Sequence, residues 1–183
     1  MKIILLFLLL FVFRHSPANC QIYTTLKGHI SFSSHAKEES IEAHNYNVAV
    51  QLLAHSGKGQ FIIPVKSFRF KKALMEEHFN EDYMESDTYT KATYKYDILS
   101  SEKVNLNRAG RYHVTTKGIM TIKNTSRNIE IAGDIVVIDD NNITLDASFS
   151  IHPADYDIRI PRLVEKKIAD SIDVRISTAL KKQ

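Results

Sequence analysis

The sequence contains a single cysteine, Cys20, which lies at the end of an N-terminal segment that we expect to be removed. The remaining chain, residues 21–183, would then hold no thiol, so that it could form neither a disulfide nor a zinc–thiolate site. A chain of this length can bury a sizeable core without such cross-links, and nothing in its composition marks a linker. We therefore predict one domain over residues 21–183.

The sequence also lacks the motifs of common enzyme classes. It has no glycine-rich phosphate-binding loop, no G-x-S-x-G nucleophile elbow and, beyond residue 20, no cysteine nucleophile. Four acidic residues do cluster, but catalytic carboxylates converge across a cleft, whereas these share one face of a predicted helix: Glu76, Glu77, Glu81 and Asp82. We expect a binding protein that needs no cofactor, and not an enzyme.

Charge of one sign is not in excess either. Without Lys2 and Arg14, the chain has 22 Lys and Arg residues against 21 Asp and Glu residues. Because no basic stripe remains, we expect no nucleic-acid partner.

The N-terminus has the features of a secretory signal peptide. Lys2 precedes an apolar run, Ile3 to Phe13, whose eleven residues are too few to span a bilayer core, which needs about 20. Ala18-Asn19-Cys20 before Gln21 resembles a small-residue cleavage site. We predict a signal peptide over residues 1–20, cleavage near Cys20/Gln21, and a periplasmic or secreted protein. Lipidation of Cys20 is the alternative, although Pro17 to Asn19 make a poor lipobox.

Alternation of apolar and polar residues dominates the rest of the chain. The most regular example is Ile143 to Ile151, where every second residue is apolar. This period of two predicts strands with one buried face. Similar faces recur along the sequence: Leu26 to Phe32, Tyr46 to Leu52, Phe61 to Val65, Ala92 to Ile98, Tyr112 to Ile122, Ile129 to Val137 and Ile172 to Leu180. About eight strands with short links predict an all-β, eight-stranded antiparallel barrel, with a two-sheet sandwich as the rival.

One segment, Lys71 to Ser86, departs from this pattern. It has no β-branched residue, and Met75, Phe79 and Tyr83 recur every four residues. This spacing predicts one amphipathic α-helix inserted between strands, which we expect to cover an end of the barrel.

Three motifs in order along the chain resemble those of the YceI-like family. The first runs from Phe68-Arg-Phe70 through Leu74 to Ser86 and ends at Ala92-Thr-Tyr94; the second is Gly118 to Arg127; the third is Phe149-Ser-Ile151 with Asp155-Tyr156. The resemblance covers about residues 22–180. It implies a lipocalin-like barrel that holds a long apolar chain, such as a polyisoprenoid or a fatty-acid derivative, in its lumen. The sequence departs from the family pattern at Thr90, Asn124 and Tyr96, and the Tyr96 ring implies a ligand of different length or depth.

Inward positions of the strands, together with the apolar face of the helix, give the candidate ligand-binding residues. They are Phe32, Tyr46, Phe61, Ile63, Met75, Phe79, Tyr94, Tyr96, Val114, Met120, Ile131, Ala147 and Phe149. An eight-stranded barrel is wide enough either to be filled by side chains or to hold one small ligand. Small inward residues, among them Gly28, Ala92 and Ala147, favour a lumen. The expected partner is an apolar, lipid-like molecule, and a transient membrane contact and a homodimer are both compatible with the sequence.

Histidines suggest a second hypothesis, a metal-binding or metal-responsive envelope barrel. None of them has the H-x-x-x-H or H-E-x-x-H spacing of a helical metal site, so we predict no metal ligands. His29 is out of phase with Ile30 and should face solvent, whereas His44 shares the phase of Tyr46 and could face inward.

Overall fold

The computed structural model describes residues 21–161 and 166–183. The predicted signal peptide, including Cys20, lies outside the described residues. The strands are β1 (Ile22–His35), β2 (Ser40–Leu53), β3 (Lys58–Pro64), β4 (Arg69–Phe70), β5 (Lys91–Leu99), β6 (Gly110–Ile122), β7 (Thr125–Asp139), β8 (Asn142–Ile151) and β9 (Ile172–Lys182). One α-helix, α1 (Ala73–His78), continues into a π-helical turn, Phe79–Tyr83.

Eight of these strands form a closed antiparallel barrel, as the alternation predicts. The order is β1-β9-β8-β7-β6-β5-β3-β2, and pairing of β1 with β2 closes the ring. The remaining strand, β4, has two residues and pairs only with Ala43 and His44 of β2. Closure leaves every long strand with a partner on both sides, which removes the exposed edges that promote aggregation.

The two ends of the barrel differ. At the end where β1 begins, Tyr23, Leu52, Ile143 and Leu180 are completely or almost completely buried. The Tyr23 hydroxyl also donates a hydrogen bond of 3.0 Å to the carbonyl of Asp140, in the turn between β7 and β8. This closed end is a packed core, whereas the opposite end faces α1 and the segment that follows β8.

A bulge in β2 corrects the predicted facing of Tyr46. Asn45 and Val48 both face the interior, and the two residues between them are exposed, so that the β1–β2 register shifts between Gly28 and Ile30. The buried Asn45 side chain stabilises the bulge, since its amide donates to the Pro64 carbonyl and its oxygen accepts from the Asn47 backbone N–H, both at 2.9 Å. Tyr46 is 57% exposed as a result.

A second irregularity lies in β1. Its register shifts between Thr25 and Gly28 against β2 and between Thr24 and His29 against β9. Leu26, which lies within this irregularity, is 75% exposed and not inward as the alternation predicts. A bulge advances the chain by one residue without a partner, which reverses the facing of the residues on one side of it.

The predicted helix is present but is shorter than the 71–86 segment. Leu74, Met75, Phe79 and Tyr83 face the barrel opening, and Glu77 and Glu81 are exposed. Glu76 does not lie on the wet face, because its carboxylate accepts hydrogen bonds from Arg69 at 2.9 Å and from the Phe70 backbone N–H at 3.1 Å. In the part of the chain that the structure describes, no helix has the length and apolar character needed to cross a bilayer.

Candidate functional site

The half of the barrel next to α1 encloses a cavity of about 460 Å³. Its wall consists almost entirely of apolar side chains from the strands, from the helical segment (residues 72–83, which comprise α1, the π-helical turn and the residue before them) and from the segment after β8. Cavities of roughly 300–1,000 Å³ are typical of sites for small organic ligands. The lumen is therefore hollow at one end and filled at the other.

Four phenylalanines form one side of the opening. Phe79 of the helical segment contacts Phe32 of β1 and Phe70 of β4, with ring centroids 5.5 and 5.1 Å apart. Phe68 lies 5.1 Å from Phe32 and 5.6 Å from Phe79. These rings attach the helical segment to the barrel rim, so that Phe79 contributes to the fold as well as to the cavity wall.

Charged and polar groups are found at the rim of the cavity. Lys72, just before α1, forms an ion pair with Glu39 in the β1–β2 connection, with Nζ and Oε1 2.6 Å apart. His78 and Lys167 also border the opening, and His78 Nδ1 lies 2.7 Å from Asp82 Oδ2. A ligand with one polar end and a long apolar part would match this distribution, with its polar end at the rim.

The floor of the cavity includes Phe61 and Tyr94. The Tyr94 hydroxyl lies 2.9 Å from Thr116 Oγ1, which donates to the Ile131 carbonyl at 3.1 Å. Since the single Thr116 hydroxyl proton is used in that bond, Tyr94 is the donor to Thr116. Burial raises the pKa of the Tyr94 phenol. The floor therefore stays uncharged at neutral pH, as an apolar ligand requires.

Comparison with known proteins agrees with this architecture. The family model of the YceI-like domain matches residues 12–180. The chain belongs to the YceI-like family. No curated protein matches the sequence significantly.

Three solved structures illustrate the shared fold. A polyisoprenoid-binding domain from Saccharophagus degradans, implicated in plant cell wall breakdown, has a TM-score of 0.78 at 14% identity and covers 90% of this chain and 99% of its own. BcnA from Burkholderia cenocepacia has a TM-score of 0.69 at 18% identity, with 84% and 96% covered. A YceI protein from Campylobacter jejuni has a TM-score of 0.63 at 14% identity, with 81% and 89% covered.

Nine of the thirteen candidate ligand-binding residues line the cavity of this YceI-like barrel. They are Phe32, Phe61, Ile63, Met75, Phe79, Tyr94, Met120, Ile131 and Phe149. All nine lie in the half of the barrel next to α1, where consecutive inward positions reach the same space.

The other four candidates do not line the cavity. Tyr46 is outside the barrel, because of the bulge in β2. Tyr96, Val114 and Ala147 face inward as predicted, but they lie deeper and pack against the core. Alternation identifies the inward face of a strand, but it does not indicate how far along the strand the empty space extends.

The alternation pattern does not predict one part of the cavity wall. The segment after β8 contributes Pro153, Ile158, Ile160 and Ile168, although it has no regular strand or α-helix where the structure describes it. The spacing of Ile158 and Ile160 is the one local signal that could have indicated an inward face. Such irregular segments acquire their facing from tertiary packing, which periodicity does not report.

Two of the histidines that suggested a metal site, His29 and His44, lie together on the outer surface. His29 Nε2 is 3.1 Å from His44 Nδ1, and His44 Nε2 is 3.3 Å from a Glu42 carboxylate oxygen. The prediction that His44 could face inward is therefore wrong, because His44 precedes the bulge and faces outward with His29. Across residues 21–161 and 166–183, no group of three or more potential metal ligands converges.

Proposed function

We propose that this YceI-like protein is an exported carrier that holds the apolar chain of a lipid, such as a polyisoprenoid or a fatty-acid derivative, in its lumen. One observation carries the proposal: the barrel is packed at one end and encloses an apolar cavity of about 460 Å³ at the other. A structural barrel of this width would be expected to fill both halves with side chains. The polyisoprenoid-binding description of the Saccharophagus degradans domain supports the same ligand class.

The composition of the cavity wall favours a binding site over a catalytic site. The cavity wall contains few polar groups, and its Tyr94 hydroxyl is occupied in a hydrogen bond to Thr116. Burial of an alkyl chain stabilises a complex by about 0.8 kcal/mol for each methylene group removed from water. An alkyl chain inside the lumen, with its polar end near Lys72 and Lys167, would gain this free energy from each of its buried methylene groups.

Two alanine-to-phenylalanine substitutions test the lumen directly. Ala92 lines the cavity and Ala147 does not, yet both are half-buried, inward-facing strand residues. Ala92→Phe should place a ring in the ligand's volume, and the variant should fold but bind no lipid. Ala147→Phe is the matched control: it should overpack the core near Gly133 and cost about 1–3 kcal/mol, while the remaining folded protein still binds lipid.

The readouts are the melting temperature and the lipid mass seen by native mass spectrometry, measured on the same sample. Purified protein that carries no lipid, takes up none from a mixed lipid extract and instead holds stoichiometric zinc or copper would contradict the proposal. Equal lipid binding by Ala92→Phe and the unchanged protein would place the ligand outside the lumen.

Export is tested separately by the intact mass of the protein from its native host. We expect a chain that begins at Gln21 and carries no thiol. A diacylglyceryl group on Cys20 would instead place the protein on a membrane.

A further inference from the structure

In one row below the cavity floor, three neighbouring strands together place only one side chain in the interior, that of Tyr96. Tyr96 of β5 pairs with Gly59 of β3 on one side and with Gly118 of β6 on the other. Because both partners are glycines, the Tyr96 ring is the side chain that this row of three strands contributes to the interior. The row lies one inward position deeper than Phe61 and Tyr94, which line the cavity.

The two glycines are required by the position of Tyr96. A Cβ atom on Gly59 would lie 2.3 Å from Cζ and from the hydroxyl oxygen of Tyr96, so that the ring occupies the space of a residue-59 side chain. On the other side, a Cβ atom on Gly118 would lie 2.1 Å from the Lys95 carbonyl oxygen and 2.7 Å from the Tyr96 Cα. Neither neighbour could supply a replacement side chain without a shift of the surrounding atoms.

The same ring supports the floor. Tyr96 stacks on Tyr94, with ring centroids 5.3 Å apart and an interplanar angle of 22°, and it packs against Phe61 at 5.9 Å. It is only 6% exposed. Phe61 and Tyr94 therefore pack against Tyr96, and the packed core of the closed end begins beyond Tyr96.

We propose that Tyr96 determines the length of apolar chain that the lumen accepts, an inference that rests on the proposed lipid-carrier function. Without the ring, three adjacent strands would present only backbone and one Cβ atom at this row, and Tyr94 and Phe61 would lose the surface on which they pack. The lumen would deepen by one inward position, or about 6.6 Å along a strand. A longer chain would then be accommodated with its polar end still at the rim.

The experiment compares the unchanged protein with Tyr96→Ala in binding a homologous series of straight-chain fatty alcohols from decanol to docosanol. We expect the optimum chain length to move up by several methylene groups. For chains beyond the original optimum, each further methylene that becomes buried should strengthen binding about fourfold. Tyr96→Leu, which keeps a buried apolar side chain and removes the ring, provides the same comparison if Tyr96→Ala proves too unstable to purify.

Two variants serve as controls. Tyr96→Phe keeps the ring and should leave the optimum unchanged. Ile143→Ala also removes a buried side chain, but at the closed end, and should lower the melting temperature without changing the optimum. An unchanged optimum in Tyr96→Ala and Tyr96→Leu, or an equal shift in Ile143→Ala, would overturn the assignment of Tyr96. Absence of binding of every alcohol and of polyprenols by the unchanged protein would instead overturn the carrier function itself.

Discussion

Lys72 and Glu39 connect the start of the helical segment to the β1–β2 connection across the cavity opening, through an ion pair with Nζ and Oε1 2.6 Å apart. Both residues also line the cavity. The Glu39 side chain is largely buried and that of Lys72 is largely exposed. The pair therefore closes part of the rim without being a buried salt bridge.

We expect Glu39→Gln to speed the release of bound lipid several-fold while the melting temperature changes little. The physical reason is that a partly exposed ion pair contributes about 0–1 kcal/mol to stability, whereas its loss frees the helical segment to move at the rim. Release can be measured by transfer of a fluorescent fatty acid to acceptor vesicles. Asp87→Asn is the matched control, since it removes the Lys66–Asp87 ion pair, whose residues do not line the cavity. Equal rates in both variants would contradict a role for the rim pair.

Two residues of the helical segment should differ in role, with Phe79 contributing mainly to stability and Met75 mainly to lipid retention. Phe79 packs in the four-phenylalanine cluster, so Phe79→Ala should lower the free energy of unfolding by about 3 kcal/mol. Met75 lines the cavity and is only half-buried. Met75→Asp should therefore weaken lipid retention more than it lowers stability. Denaturant unfolding and lipid release, measured on both variants, check this division; a large stability loss in Met75→Asp would make the whole segment part of the core.

The bulge in β2 depends on one buried amide. Asn45 is completely buried, and both of its polar groups are paired, with Pro64 and with Asn47. Asn45→Ala would leave a buried carbonyl and a backbone N–H without these partners, at a cost of about 2 kcal/mol. Asn47→Ala removes only an exposed contact with Lys27 and should be nearly neutral. Equal unfolding midpoints for the two variants would show that the amide does not stabilise the bulge.

The same bulge explains what the sequence could and could not predict. The eight strands and their closure follow from a period of two, because each long strand buries one face over most of its length. The alternation predicts the wrong face for Tyr46, because the bulge between Asn45 and Val48 interrupts that period. A polar residue within a strand does not by itself reveal that its side chain is turned inward to bond Pro64.

The extent of the cavity is a different kind of property. Phe61 of β3 and Tyr94 of β5 line the cavity, whereas Tyr96, two residues beyond Tyr94 in β5, does not. That boundary is set by the residues that adjacent strands place side by side in one row across the sheet. Here the row consists of Gly59, Tyr96 and Gly118. Because the pairing of β5 with β3 and β6 fixes the rows, a pattern read along one strand cannot locate the floor.

The outer histidine pair should make stability fall as the solution becomes acidic. Burial lowers the pKa of His29 below its ordinary value, and the neighbouring His44 lowers it further. The unfolded chain, in which His29 titrates near pH 6.5, therefore binds more protons than the folded protein once the pH falls below about 7. Stability is then lost as the pH decreases through this range, and the loss levels off below the pKa of the folded state.

His29→Asn should show a smaller decrease in melting temperature between neutral pH and about pH 5 than the unchanged protein. His35→Asn, at an exposed histidine hydrogen-bonded to Ser40, should retain the full decrease; the same decrease in His29→Asn would show that other groups cause the acid sensitivity.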